Sequence, residues 1–346
     1  MPANLQARLQ AFGEAGQIEL LTQSVPTPGP NEVLVRVEAA SLSSTDLTIR
    51  KGLYPLLTQS PPFVMGYDFV GRVEQTGEQV ETFALGERVA SLVQIGGHAQ
   101  WICVPAKQLV RIQSPLPSVE IACLMSNGMS AYQIFHHYTD LEAGDRFLVH
   151  GGSGAIGSLL LQFAQGKGVE TVSSASSSKL HFLEDLGAKA ISYEDNVYPK
   201  KLKILAGERG FDAAIDFTNQ RSIRRSFGML RPEGRLILTG LLNTQQRIKR
   251  KNWLTFVRFG AEFGAMMLRK SWWNLRTNRR VYFYGLMDEF GERREQYEYD
   301  LHSLCRLVEQ QQIQLHYTVY PLQKYCQAQA ALEQGKVVGQ VVLRMQ

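Results

Sequence analysis

The sequence predicts an α/β protein in which a small β-barrel domain accompanies a doubly wound parallel sheet. Three observations lead there. The 346 residues exceed the size of a typical single domain, and 44% hydrophobic residues are enough for large cores. The residue pattern changes near Glu120, from short strands dense in Pro and Gly to alternating strands and helices. Phe147–Gly157 then reads as strand, glycine turn and helix start in direct succession.

Residues 33–40, Val-Leu-Val-Arg-Val-Glu-Ala-Ala, alternate as a half-buried strand does, after turn signals at Pro26, Pro28, Gly29 and Pro30. Phe69–Glu74 and Arg88–Val93 continue the β-rich pattern up to Val110. Beyond Glu120, short apolar strands are expected at Arg146–His150, Glu170–Ser174, Ala190–Tyr193, Asp212–Phe217, Arg235–Gly240 and Val281–Leu286. Their near-continuous apolar character suits a parallel sheet covered on both faces. A helix near Asp300–Gln312 follows, then Ala328–Glu333 and a terminal strand within Val337–Arg344.

The glycine turn carries the chemistry. Gly152-Ser-Gly154-Ala155-Ile156-Gly157 has the spacing G-x-G-x-x-G, and Ser158–Ala164 reads as a helix. Gly152 allows the tight turn, Gly154 admits a pyrophosphate against the backbone, and Gly157 lets helix and strand approach. A helix N-terminus offers unpaired N–H groups and partial positive charge to phosphates. This is the Rossmann fingerprint. An NAD-selective site has Asp or Glu about 20 residues on, bonding the ribose 2′-hydroxyl. Here the second strand, Glu170–Ala175, runs into Ser173-Ser174-Ala-Ser176-Ser-Ser-Lys179 with no acid. Hydroxyls and one lysine donate to a 2′-phosphate, which a carboxylate would repel, so NADPH is the expected cofactor. Glu184 and Asp185 fall in the following helix and are expected on the surface.

Cys103, Cys123, Cys305 and Cys326 lie far apart, forming neither a disulfide framework nor a zinc knuckle by spacing. The sequence has no apolar leader and no uninterrupted apolar run long enough to span a bilayer, so a cytoplasmic protein with reduced thiols is expected. The net charge of +5 is uneven: Asn243–Arg280 holds ten bases and one acid, Glu262, which leaves the rest of the chain at −4. Such local basicity does not describe a nucleic-acid-binding protein. Within it, residues 247–273 join bases to aromatics, as in Lys249-Arg-Lys-Asn-Trp253 and Arg269-Lys-Ser-Trp-Trp273. Two readings stand side by side: an amphipathic helix on an anionic membrane, or a lid or dimer-facing helix over the nicotinamide.

Several further segments occur in a specific order: Ala40-Ser-Leu-Ser-Ser-Thr-Asp46, Arg50-Lys-Gly-Leu-Tyr54-Pro, Met65-Gly-Tyr-Asp-Phe-Val-Gly71, Leu85-Gly-Glu-Arg-Val89, Leu186-Gly-Ala188, Arg231-Pro-Glu-Gly-Arg-Leu and Leu332-Glu-Gln-Gly-Lys-Val-Val-Gly-Gln-Val-Val. Over nearly its whole length the chain resembles the zinc-free quinone oxidoreductase branch of the medium-chain dehydrogenase/reductases. The resemblance implies a GroES-like β-barrel catalytic domain built from both chain ends, residues 1–122 and 289–346. A Rossmann NADPH-binding domain, residues 123–288 with the insert 243–280, would lie between them, with the active site in the cleft. It also implies that Lys179 and Tyr193 hold the adenosine 2′-phosphate, that Ser130 lies near the nicotinamide, and that the protein is a homodimer joined edge to edge through its nucleotide domains.

Zinc-dependent relatives carry a ligand Cys where this chain has Ser43 and a ligand His where it has Tyr67, so no metal is expected. Reduction of an activated double bond suits such a site: hydride adds to the β-carbon while donors hold the developing enolate or hydroquinone oxygen. Tyr54 is the leading donor by resemblance to 2-enoyl thioester reductases, and its competing role is to shape the cleft wall. Ser43 stands where quinone reductases have Asn and retains one donor. Asp46 is expected to orient its loop or serve as a proton group. His98 and Asp68 are expected to support the fold, and His150 to be a core histidine. The expected activity is NADPH-dependent, zinc-independent reduction of a quinone or other α,β-unsaturated carbonyl. A 2-enoyl thioester reductase and a membrane-associated NADPH-binding protein without robust catalysis are its rivals.

Overall fold

The computed structural model describes residues 3–54, 56–216, 220–239 and 253–345. The first part of the chain forms β1 (Ala3–Leu9), β2 (Ile18–Ser24), β3 (Glu32–Leu42), β4 (Phe63–Val64), β5 (Asp68–Thr76), β6 (Arg88–Leu92), β7 (Trp101–Pro105) and β8 (Val110–Arg111). The middle forms β9 (Arg146–His150), β10 (Glu170–Ala175), β11 (Lys189–Ser192), β12 (Phe211–Asp216), β13 (Leu230–Leu238) and β14 (Arg280–Phe283). The chain returns with β15 (Tyr317–Pro321) and β16 (Gln340–Arg344).

The alternation in β3 places Val33, Val35 and Val37 inside, against Phe69 and Val73 of β5. Strand β16 pairs antiparallel with β3, Val341 opposite Leu42 and Arg344 opposite Ala39. The last strand of the chain therefore completes a sheet begun by the third, in the order β15-β16-β3-β5-β6-β8 with β7 also on β3. A smaller sheet, β2-β1-β4, covers it.

The middle strands form one six-stranded sheet in the order β11-β10-β9-β12-β13-β14, parallel at every pairing. The strand order reverses between β9 and β12, which opens a crevice at the carboxyl ends of those strands. Both faces are covered. Phe147 and Val149 point to the helix Ala155–Gly166 with its buried Leu160 and Leu161, whereas Leu148 points the other way, to Tyr198, Ile223 and Phe227. Burial on both sides explains why these strands read as apolar runs rather than alternations.

Element ends differ from the sequence reading for local reasons. The helix after the glycine turn starts at Ala155, not Ser158, because Gly154 itself occupies the N-cap position with extended backbone (φ −84°, ψ 175°). Strand β14 stops at Phe283, and Leu286–Glu292 begins a helix. The helix expected near Asp300 starts at Arg294 and ends at Glu309. Gly240 and Phe217, expected strand ends, and residues 243–252 of the basic segment lie outside the described residues.

The described part of that segment corrects one expectation. Trp253–Arg276 is a single helix of 24 residues joining β13 to β14. Parallel neighbours require such a crossover, and this helix lies on the flank of the sheet rather than as a lid over the crevice. Trp273 is buried and stacks on Phe227 with ring centroids 3.9 Å apart and planes 7° from parallel. Asn274 bonds both backbone groups of Val281, accepting from its N–H at 2.7 Å and donating to its carbonyl at 3.1 Å. The outer edge of β14, which edge-to-edge pairing of two copies would use, is thus occupied at that residue.

Because Trp273 fills the space between helix and sheet, Trp273→Ala is expected to cost about 3–5 kcal/mol of stability. Leu275→Ala, two residues on but 83% exposed, is expected to stay within about 0.5 kcal/mol of wild type. Equal midpoints for the two variants in denaturant titration would contradict this packing.

Candidate active site

The glycine turn sits at the carboxyl end of β9, at the mouth of the crevice. The left-handed residue is Gly151 (φ +68°), one position earlier than expected. Gly152 serves packing: a Cβ there would come within 2.0 Å of Ser173 Oγ and 2.9 Å of Leu183. A Cβ on Gly157 would meet the Gly151 carbonyl oxygen at 2.4 Å and Gly152 Cα at 2.6 Å, so helix and turn touch backbone to backbone. Gly154 differs, since its Cβ would find only the Gly151 oxygen, at 3.4 Å. It faces open space, as a residue that receives a ligand must. The first-turn N–H groups of Ala155, Ile156 and Gly157 have no intrahelical acceptor and point the same way. Together these features fit the pyrophosphate of a dinucleotide.

The serine-lysine loop after β10 is more structured than its composition suggests. Ser173 faces the turn and donates to the Val149 carbonyl at 2.9 Å. Ser174 faces the opposite side of the sheet: it is buried, 3.2 Å from His150 Nδ1, and so turns away from the loop. His150 also meets Tyr198 OH at 3.1 Å and Ser226 Oγ at 2.9 Å, and Ser226 donates to Asp216 at 2.8 Å. Burial lowers the His150 pKa, with the Asp216 charge opposing. His150 is a core histidine in a satisfied polar network. Ser176 is half-buried beside Ser178, Oγ to Oγ 3.4 Å. Lys179 donates to the Val337 carbonyl at 2.6 Å, and burial lowers its pKa. Tyr193 is exposed at the end of β11.

Sequence reasoning missed one acid here. Glu194, two residues past β11, accepts from the Ser177 N–H at 2.9 Å, so a carboxylate borders this loop from the neighbouring strand. It also missed how closely the barrel approaches. Gly339 N–H donates to the Ser153 carbonyl at 2.9 Å, and Gly154 bridges to Gly339. The β16 lead-in therefore lies against the glycine turn.

Across the crevice, Ser43 and Asp46 form a capping box on the helix Ser44–Arg50. Ser43 N–H and Oγ both donate to Asp46 Oδ2, at 2.8 and 3.0 Å, and Ser43 Oγ accepts from Thr45 N–H. The one hydroxyl proton of Ser43 is therefore committed to Asp46. Burial pushes the Asp46 carboxyl up to about 7, against the lowering effect of the Ser43 bonds. Beneath it, Asp68 accepts from Ser41 N–H at 2.7 Å and Ser41 Oγ at 2.5 Å. His98, pushed down to about 4 by burial, is neutral. It donates from Nε2 to the Ser41 carbonyl at 2.8 Å, and its Nδ1 accepts from Tyr325 OH at 3.0 Å. Both residues hold the barrel together.

Tyr54 and Tyr67 meet with hydroxyl oxygens 2.9 Å apart and rings edge to face at 5.8 Å. Tyr67 is almost wholly buried and Tyr54 only half. Burial raises both pKa values, so both phenols are protonated near neutral pH. With the deeper Tyr67 donating outward to Tyr54, the Tyr54 proton is left for a group in the cleft. Facing them, Ser130 is buried with Oγ donating to the Ser126 carbonyl at 2.9 Å. Tyr284 donates to Gln133 Oε1 at 2.7 Å. Two π-helical stretches, Leu124–Gly128 and Ile134–Thr139, flank the short α-helix that carries Ser130. Leu286 and Met287 touch both the barrel core and the nucleotide-domain core and form the cleft wall. Tyr284 was legible in principle, as a polar residue just past the end of an apolar parallel strand.

The donor set does not fit a catalytic zinc ion. Such a site takes three nitrogen, sulfur or carboxylate ligands, whereas the two matching positions offer hydroxyls already bonded to Asp46 and Tyr54. No group of three or more His, Cys, Asp or Glu among the described residues is arranged to hold a metal.

Gly154 and Gly157 make separable demands. Gly157→Ala is expected to lower the thermal midpoint by several degrees, because the helix must move off the turn. Gly154→Ala is expected to leave the midpoint unchanged while weakening dinucleotide affinity at least about tenfold, a loss of about 1.4 kcal/mol. Calorimetry and fluorescence titration separate the two, and matching behaviour of the two variants would count against this division of roles.

Comparison with known proteins agrees with this geometry. Residues 29–114 match the alcohol dehydrogenase GroES-like domain, and residues 155–273 match the zinc-binding dehydrogenase family. A probable quinone oxidoreductase of Schizosaccharomyces pombe is 28% identical over 241 residues, 69% of this chain and 72% of that protein. The human synaptic vesicle membrane protein VAT-1 homolog is 28% identical over 351 residues, covering 97% of this chain and 85% of its own length. The solved structure of a Pseudomonas syringae quinone oxidoreductase superposes with a TM-score of 0.82 at 21% identity, covering 99% of this chain and 100% of that one. A dinucleotide turn facing a paired-tyrosine cleft, on these two matched domains, makes this chain an oxidoreductase of the medium-chain dehydrogenase/reductase superfamily, in its quinone oxidoreductase-like branch.

Proposed function

We propose that the protein is an NADPH-dependent, zinc-independent reductase that delivers hydride to the β-carbon of a quinone or another α,β-unsaturated carbonyl. The observation that carries this reading is the Tyr54–Tyr67 hydroxyl pair, 2.9 Å apart in the cleft at the side where zinc-dependent relatives hold metal. A bound reduced nicotinamide supplies hydride. The chain's own residues then have to hold an oxygen that gains negative charge. Tyr54 OH donates to that oxygen. Tyr67, donating to Tyr54, strengthens the bond as charge develops, because linked hydrogen bonds polarise one another. Burial keeps both protons in place at neutral pH. A preorganised donor of this kind stabilises an enolate or hydroquinone oxyanion without a Lewis acid. Leu286 and Met287 keep water from that wall of the cleft.

The choice of NADPH is supported by Lys179 and the serine hydroxyls around it. Glu194 opposes it, because its carboxylate lies at the Ser177 amide. Lys179 reaches the loop with a half-buried ammonium that donates to the Val337 carbonyl and has no carboxylate partner among the described residues. An ammonium next to a dianionic 2′-phosphate makes a charge-assisted bond of about 1.5–3 kcal/mol.

The test is oxidation of NADPH against a benzoquinone, a naphthoquinone, a medium-chain enone and an enoyl thioester, each repeated with NADH. Turnover with NADPH is expected, and the best acceptor fixes the subclass, the enoyl thioester being the arm that would favour a thioester reductase. Tyr54→Phe is expected to lower kcat about 100-fold with NADPH affinity unchanged. An unchanged kcat would reduce Tyr54 to a shape-giving side chain. Lys179→Met is expected to weaken NADPH binding about 10- to 100-fold while leaving NADH binding alone. Equal effects on both cofactors would overturn the 2′-phosphate assignment. Tight NADPH binding with no turnover on any acceptor would refute the reductase reading as a whole.

A further inference from the structure

One flank of the nucleotide domain carries a pattern that the reaction does not use. The helices Tyr198–Ala206, Gln220–Gly228 and Trp253–Arg276 all pack on the same sheet face through Leu202, Ile223, Met266 and Trp273. Their sequences hold ten Lys and Arg against a single acid, Glu262. Arg224 and Arg269, from two of the three helices, are near enough that one charge acts on the other. Nothing in catalysis calls for this charge, since the crevice opens at the carboxyl edge of the sheet rather than on its flank.

The long helix adds an apolar stripe to the same face. Ala261, Ala265, Leu268, Trp272 and Leu275 are all exposed, at spacings of four, three, four and three residues. Those spacings keep one line along an α-helix, about 21 Å long at 1.5 Å per residue. Leu268 is 75% exposed and Trp272 56%. Met266 and Trp273, on the opposite side of the helix, are buried in the core. The helix is therefore apolar on two sides, one consumed by the fold and one turned outward, with Arg269 and Arg276 beside the outward stripe.

Charge decides among occupants. A second copy of the same face would set two strongly positive surfaces against each other, and removing their counterions to bury the stripe would be unfavourable. The partner must be negative. Leu268, Trp272 and Leu275 project from the outward side of one helix, which suits a soft surface that deforms around Leu and Trp. No helix among the described residues is long and apolar enough to cross a membrane, so the helix would lie flat. We propose that this face docks the protein on an anionic lipid bilayer. Leu268, Trp272 and Leu275 enter the headgroup boundary, and the surrounding Lys and Arg meet lipid phosphates and carboxylates.

The test is flotation of the full chain with vesicles of phosphatidylcholine alone and of phosphatidylcholine mixed with phosphatidylserine. Binding is expected only to the mixed vesicles, weakening as salt rises. The double variant Leu268→Gln, Leu275→Gln is expected to lower the partition coefficient about tenfold or more, and Arg276→Glu, which reverses a charge beside the stripe, to lower it severalfold and flatten its dependence on salt. Both variants should keep wild-type thermal midpoints, since all three of these side chains are exposed. Absence of binding to anionic vesicles at low salt, or undiminished binding by both variants, would overturn the proposal. So would dissociation of a wild-type dimer by the leucine substitutions, which would make the face a self-interface, or a preference for nucleic acid over vesicles in competition.

Discussion

Gly339 is the point on which the arrangement turns. Its backbone is left-handed (φ +72°), and a Cβ there would lie 1.8 Å from the His316 carbonyl oxygen. Only glycine lets β16 start where it does, alongside β15 on one side and the Ser153–Gly154 turn on the other. From that position β16 runs on to pair with β3, so one close backbone approach fixes the barrel's closing strand relative to the dinucleotide turn. The cleft, its tyrosine pair and its wall at Leu286 and Met287 inherit their relative positions from this contact.

The cleft then works by division of polar groups. On the barrel side of the cleft, the polar groups are paired with neighbours, Ser43 to Asp46, Asp68 to Ser41, His98 to Ser41 and Tyr325, with Asp46 Oδ1 left without a hydrogen-bond partner. Such commitment is the usual condition for polar burial. The Tyr54–Tyr67 pair differs because its two hydroxyl protons share one bond between them, which leaves one proton over, and because Tyr54 has partial access to solvent. A site of this kind selects substrates by one directed donor rather than by a general polarity, and that suits chemistry in which charge gathers on a single oxygen.

Much of this was legible in the sequence, and the illegible parts share a cause. Strand β9 was read to the residue, since burial on both faces leaves the apolar run Phe147–Val149, and the more polar β10 was read to within one residue. The glycine turn was legible because its spacing reports steric demands that only glycine meets, although the left-handed residue proved to be Gly151. The loop after β10 was read as free of acids, correctly along the chain and incorrectly in space, since Glu194 arrives from the adjacent strand. Ser174 was assigned to the loop by proximity in sequence, whereas strand alternation turns it to the opposite face, toward His150. The helix Trp253–Arg276 was read from its bases and aromatics as a helix on a membrane surface, or as a lid or dimer-facing helix over the nicotinamide. Its crossover role follows only from knowing that β13 and β14 are parallel neighbours. In each case local pattern was readable and pairing between strands was not.

The side-chain amide of Asn274 has a consequence for the shape of the sheet. A parallel sheet is an open polymer of strands, and its last member ordinarily offers a row of peptide groups to whatever extended chain arrives. At Val281 the amide supplies one donor and one acceptor in the spacing of a peptide, so that position of the edge is filled by a group from the domain's own crossover helix. The same helix can therefore turn its other side to a surface while it covers the sheet's edge at Val281.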